Sequence, residues 1–241
     1  MSRRVLIAGN NSALLNAIET ETAKRVENYT VALIPNRFSE NDSRFHVDPA
    51  ITNTRPAAEP AVEPMTFSAD PPSGQIPLEW NPGSPVSARS LVLAAENRIG
   101  QIDEAILVCT PPLTGSDAAL LHLFDIEVLV NDHIKSWFYL VRELSIVFRA
   151  QEAGILALVY PETGSKDTID LLGSAALAAF RSLTRSLLVV ANNEPYFTMG
   201  FSENEIDDEA GFAAFVSRQL EECNRRSNGK LHKYGKHGFF K

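Results

Sequence analysis

Residues 8–15, Ala8-Gly9-Asn10-Asn11-Ser12-Ala13-Leu14-Leu15, carry the types that can hold an anion. They follow an apolar run and open a helix-like stretch, so the backbone N–H groups of a helix N-terminus would face whatever sits above the turn. Asn10, Asn11 and Ser12 add side-chain donors. A dinucleotide asks for more, because glycines must let the backbone approach a pyrophosphate and let the helix lie close on its strand. Gly9 is the sole glycine of the stretch. Elsewhere the chemistry-bearing types are scattered. Cys109 lies in an apolar run and reads as a small buried hydrophobe, and with Cys223 it makes no disulfide framework. His232 and His237 stand in a basic tail, and a metal would need further ligands, so they read as surface residues. The sequence has no Cys/His cluster, Walker loop or Ser-His-Asp spacing.

The elements that must position this turn follow from the apolar runs. "RRVLIAG" and "YTVALIPN" read as strands separated by a helix over about 13–26, one βαβ unit that crosses over right-handedly into a parallel sheet. Nine of the 14 prolines then fall between Pro49 and Pro85. Proline removes backbone donors and turns its predecessor away from helix, so residues 38–75 read as a Pro-rich insertion. The regular pattern resumes with a helix over 86–99, stopped by Gly100, and a fully apolar strand, "EAILVCT". A long helix over 133–151, the strand "GILALVY", a second long helix over 170–192, the strand "EPYFTMGF", a helix over 209–223 and a short final strand complete the order. Strands alternating with helices predict a single α/β domain spanning 1–241, a doubly wound parallel sheet with helices on both faces, the Rossmann architecture.

Bulk properties narrow the partners. With 241 residues, 44% hydrophobic and 22% charged, the chain can bury a full core. A net charge of −8 argues against nucleic acid, whose phosphates need clustered Lys and Arg. Charge is uneven, with acids concentrated over 203–222 and Lys/Arg over 224–241, and solvated ends account for both. No run approaches the roughly 20 apolar residues of a membrane span, "MSRRVLIAGN" is too short for a signal-peptide core, and the cysteines call for no oxidising compartment. The expectation is a cytoplasmic protein with no membrane or nucleic-acid partner.

Order and spacing resemble the short-chain dehydrogenase/reductase (SDR) family over about 3–37 and 76–241. "VLIAGNNSALLNAI" resembles its first strand, turn and helix, and "GQIDEAILVCTPP" its central strand with the Ile-Asp pair. "HIKSWFYLVRELSIVFRAQEAGILALVYPETGS" resembles its long interface helix and the strand that carries a catalytic Ser. "GSAALAAFRSLTRSL" resembles the helix bearing Tyr-x-x-x-Lys, anchored on Leu183-Thr184-Arg185-Ser186-Leu187. The resemblance places the family's Tyr at Gly173, its Lys at Leu177, its Ser at Tyr160 and its supporting Asn at His133. All four are replaced. The family's second and third loop glycines fall at Ala13 and Leu15, the ribose-reading position at Asn36 and Arg37, and an Asn-Asn-Ala-Gly turn becomes Cys109-Thr110-Pro111-Pro112.

Carbonyl reduction needs a donor at the substrate oxygen and a cation to tune it. Gly173 has no side chain and Leu177 no charge. The resemblance with these losses therefore implies a non-catalytic, SDR-like protein (a pseudoenzyme), with no catalytic residues and no cofactor expected. It would act as a structural or regulatory subunit in a homo-dimer, a homo-tetramer or a hetero-oligomer with an active SDR. Two alternatives stay open. One is an NAD- or NADP-dependent oxidoreductase with Tyr160 as acid and His133 as relay. The other is a nucleotide sensor using Gly9, Asn10, Asn11, Ser12 and Arg37 without turnover. No metal site is expected.

Overall fold

The computed structural model describes residues 3–37, 76–112, 121–162, 170–203 and 208–235. The Pro-rich insertion at 38–75 lies outside the described residues. In chain order the elements are β1 (Arg4–Asn10), α1 (Ala13–Arg25), β2 (Asn28–Ile34), β3 (Leu78–Glu79), α2 (Pro85–Ile99), β4 (Glu104–Val108), α3 (Leu123–Val128), a π-helical stretch (Leu129–Lys135) and α4 (Ser136–Gln151). Then come β5 (Ile155–Pro161), α5 (Leu171–Val190), β6 (Phe197–Glu203), α6 (Glu209–Glu221) and β7 (Lys230–Tyr234).

The strands form one sheet in the order β3-β2-β1-β4-β5-β6-β7. Every pairing is parallel. Buried on both sides, β1, β4 and β5 need continuous apolar sequence rather than alternation, which is what their runs supply. Successive residues feed opposite layers. Leu6, Ala8, Leu107, Leu156 and Leu158 pack with α2, α4 and α5. Val5, Ile7, Ile106, Val108 and Val159 pack with α1 and α6. The expected doubly wound sheet with helices on both faces is therefore the observed fold.

Local signals set the boundaries. Ser84 caps α2 by accepting from Ser87 N at 3.3 Å, with Pro85 pre-set at its first position. The stop at Gly100 needs φ = 85°, where a Cβ is disfavoured, and its N–H reaches Glu96 O at 2.8 Å. At the N-terminal ends of the central strands, Glu104 is wholly buried and takes Arg25, itself 5% exposed, together with Arg3 at 3.3 Å. Beside it, Arg4 grips Asp103 through Nε at 2.9 Å and Nη2 at 3.0 Å. Those guanidinium bonds and the Arg4 N–H hold the Asp103 carboxyl below its ordinary range, against the burial that would raise it.

Two expectations are revised here. The helix expected at 133–151 belongs to a longer helical run from Leu123 to Gln151, wound as a π-helix over Leu129–Lys135. The second concerns the two long helices, whose apolar and small residues (Trp137, Phe138, Val141, Leu144 and Phe148 on one, Ala175, Ala176, Ala179, Ser182, Leu183, Ser186 and Leu187 on the other) suit self-association. Trp137, Val141, Leu144 and Phe148 of α4 and Ala176 and Leu183 of α5 are buried in the chain's own core, with Trp137 edge-on to Phe180 at 5.0 Å. Phe138 and Ile146 of α4 and Leu171 and Val189 of α5 remain exposed. By length and composition Leu171–Asn193 is apolar enough to cross a membrane, unlike the expectation of no such run, yet one face of it packs on the sheet.

Candidate functional site

An open parallel sheet offers its ligand crevice beyond the carboxyl ends of the strands, where the strand order reverses. Here that point is β1, flanked by β2 on one side and β4 on the other. Gly9, Asn10, Asn11 and Ser12 leave β1 at this point, Thr110 to Pro112 follow β4, and Arg37 follows β2. The turn singled out in the sequence thus lies at the point where the strand order reverses.

Its floor is tied together by side chains. Asn10 Nδ2 donates to the Thr110 carbonyl, and Thr110 Oγ1 lies 2.9 Å from both Asn10 Oδ1 and Ser12 Oγ. Thr110 has one hydroxyl proton for two neighbours, so it can give to Asn10 while accepting from Ser12. Ser12 Oγ also accepts from Leu15 N at 3.2 Å as the cap of α1. Asn11 stays exposed. Two of the three donors expected to face an anion are thus engaged with the chain, leaving the amides at the start of α1. Leu15 stands at the third position of the glycine pattern, where the helix packs on its strand. It is 1% exposed, in the layer between sheet and α1. A Cβ built on Gly9 would meet Val108 O at 2.7 Å and Leu15 Cδ1 at 3.0 Å, so Gly9 serves the close packing of β1, β4 and α1.

Arg37, expected to face a ribose or its phosphate, turns to the protein instead. Its Nε lies 3.3 Å from Asp132 Oδ2 and its Nη2 donates to Asn81 Oδ1 at 3.3 Å. Asp132 is wholly buried, and burial raises its carboxyl against the opposing pull of Arg37. Next to it in the π-helical stretch, His133 is 2% exposed, and burial pushes its imidazole down to about 4. At neutral pH it is an uncharged core histidine.

The remaining positions diverge equally. Tyr160 is fully buried, edge-on to Phe180 at 6.1 Å, with the Arg181 guanidinium 6.0 Å from its ring centre. Burial raises its phenol, and the Glu162 charge adds to the rise. That direction is opposite to the one an acid/base tyrosine requires. Arg181 is committed to the Glu162 carboxylate at 2.8 Å. Leu177 lies in the core. At Gly173 a Cβ would stand 1.8 Å from Asp170 Oδ2 and 2.9 Å from Pro112 O. A carboxylate and a carbonyl therefore crowd the place from which a side chain would leave α5, which sequence reasoning missed, since no local pattern brings Asp170 and Pro112 together at this point. Among the described residues no group of three or more His, Cys, Asp or Glu is arranged to hold a metal.

A cavity of about 890 Å³ lies at the opposite, N-terminal edge of the sheet, lined by Arg4, Asp103, Gln151, Tyr196 and Cys223 among others. Arg4 and Asp103 hold each other there, and Tyr196 Oη donates to Ser145 Oγ at 2.9 Å.

Comparison with known proteins bears on the fold. No protein-family profile matches the chain, and no curated protein matches it in sequence. Solved structures do. A short chain dehydrogenase from Mycobacterium smegmatis superposes with a TM-score of 0.63 at 12% identity, covering 98% of this chain and 92% of its own. A metagenomic short-chain oxidoreductase in complex with NADP gives 0.66 at 10% identity over 97% and 96%. A protein assigned to the same family in Aeromonas hydrophila gives 0.65 at 12% identity over 97% and 100%. The likeness is one of fold: the described residues form the doubly wound parallel sheet with helices on both faces that these short-chain dehydrogenase/reductase structures share.

Proposed function

We propose that this chain is a non-catalytic protein on the SDR fold, a structural or regulatory subunit that works in the cytoplasm through association. The observation that carries the reading is the enclosure of Gly173 by Asp170 Oδ2 and Pro112 O, at the position where the family resemblance requires the acid/base. Two further observations support it. Leu177 supplies no cation, and the raised phenol of Tyr160 is sealed in the core. The exposed Phe138, Ile146, Leu171 and Val189 on the two long helices support self-association or pairing with a related subunit.

A second reading has its own support: an NAD(P)-dependent oxidoreductase with a non-standard site, or a nucleotide sensor without turnover. The structural likeness runs to oxidoreductases, one of them held with NADP, and α1 keeps a capped N-terminus at the switch point. Calorimetric titration of the protein with NAD, NADH, NADP and NADPH separates the readings. No saturable heat and no thermal stabilisation at millimolar cofactor is the expected result. Micromolar binding with turnover that Tyr160→Phe abolishes would establish the oxidoreductase, and binding without turnover the sensor.

A further inference from the structure

The crevice at the switch point is bridged at its rim as well as at its floor. Arg37 extends from the end of β2, Asn81 follows β3, and Asp132 sits in the π-helical stretch between β4 and β5. Their contacts join three separate connections across the carboxyl ends of the strands.

The Asp132 side is unusual in its composition. Its side chain has no exposure, yet neither carboxylate oxygen accepts a hydrogen bond of good geometry from the described residues. A buried carboxylate ordinarily recovers its lost hydration through several donors, and one left without them calls for an explanation. Arg37 Nε, at 3.3 Å, is the approach that compensates it. The Arg37 side chain is itself 40% exposed, with its Nε beside Asp132 and its Nη2 donating to Asn81. Among the described residues, Arg37 is thus the cation between an under-satisfied internal acid and whatever anion enters from outside.

We propose that Asp132 is a built-in competitor for Arg37, an autoinhibitory contact that keeps the crevice latched against phosphate-bearing small molecules. A phosphate oxygen entering above β1 has two sources of attraction, the amides at the start of α1 and the Arg37 guanidinium. The second is available only when Asp132 gives it up. Neutralising Asp132 frees the cation and leaves the neighbouring packing in place. The inference concerns binding and holds whether or not the crevice performs chemistry.

The test uses the full chain and inorganic pyrophosphate as probe, followed by calorimetry at low ionic strength. Asp132→Asn keeps the shape and removes the charge, and should bind pyrophosphate at least tenfold more tightly than the parent protein. Adding Arg37→Gln to it should return the affinity to the parent value, and Arg37→Gln alone should leave that value unchanged. An Asp132→Asn protein with native circular dichroism and no gain would overturn the proposal. So would a gain that survives Arg37→Gln. If the amide variant fails to fold, Asp132→Leu, which removes the buried charge altogether, must show the same gain or the proposal falls.

Discussion

His133 gives the sharpest quantitative test of how the crevice is built. Its imidazole titrates near 6.5 when free in the unfolded chain and is held to about 4 by burial in the fold. Between those values the unfolded chain takes up a proton that the folded chain refuses, so stability falls as pH falls. Above about 6.5 the residue costs nothing. Through the window the slope is about 1.4 kcal/mol per pH unit, and the total approaches roughly 3 kcal/mol by pH 4. Acid-side carboxylates such as Asp103 also lose stability on acidification, but they do so in any variant. The measurement is the urea unfolding free energy from pH 7 to pH 4 for the parent protein and for His133→Gln. The parent should lose about 3 kcal/mol more than the variant over that range. Parallel curves would refute the reasoning. They would mean that His133 is hydrated and can carry a proton at neutral pH, which would restore it as a relay candidate.

Three other substitutions test separate joints. Glu104→Ala leaves Arg25 buried without its partner and should cost about 3–5 kcal/mol in denaturant unfolding, with Glu104→Gln costing less. Gly9→Ala drives a methyl group onto Val108 O and should lower stability by about 1–3 kcal/mol, read as a drop in melting temperature. Leu15→Gly restores a family glycine but empties a core site. It should cost at least the 2–5 kcal/mol typical of Leu→Ala, and calorimetry should record no gain in NADP affinity.

Much of the fold was legible because a parallel sheet writes itself as uninterrupted apolar runs. β1, β4 and β5 could be read directly from "VLIAG", "EAILV" and "ILALVY". β3 could not. Two residues, Leu78 and Glu79, carry no period, and they are a strand only because Ala32 and Leu33 pair with them. The π-helical stretch leaves no mark either, since its wider turn arises from one residue more per loop of the ladder than side-chain spacing reports. Within the site, register placed Gly173 and Leu177, and their chemistry followed from their side chains. What the chain puts in the vacated space depends on where Asp170 turns and where Pro112 ends, which no local pattern specifies. The engagement of Arg37 was hidden for the same reason, because its partner lies in another crossover connection.

The strand order also bears on how the chain is made. β1 pairs β2 close by in sequence, but its other edge waits for β4, with Val5 opposite Glu104. At ribosomal rates of about 5–20 residues per second, the stretch from Ile34 to Val108 takes roughly 4–15 s to synthesise. For that interval the nascent β1-α1-β2 unit carries an open strand edge inside the future sheet, with Val5 and Ile7 not yet covered by α6. The same wait applies to Arg25 and Arg3, whose shared carboxylate has not yet been made. The centre of the finished domain is thus the part of the newborn chain most in need of shelter.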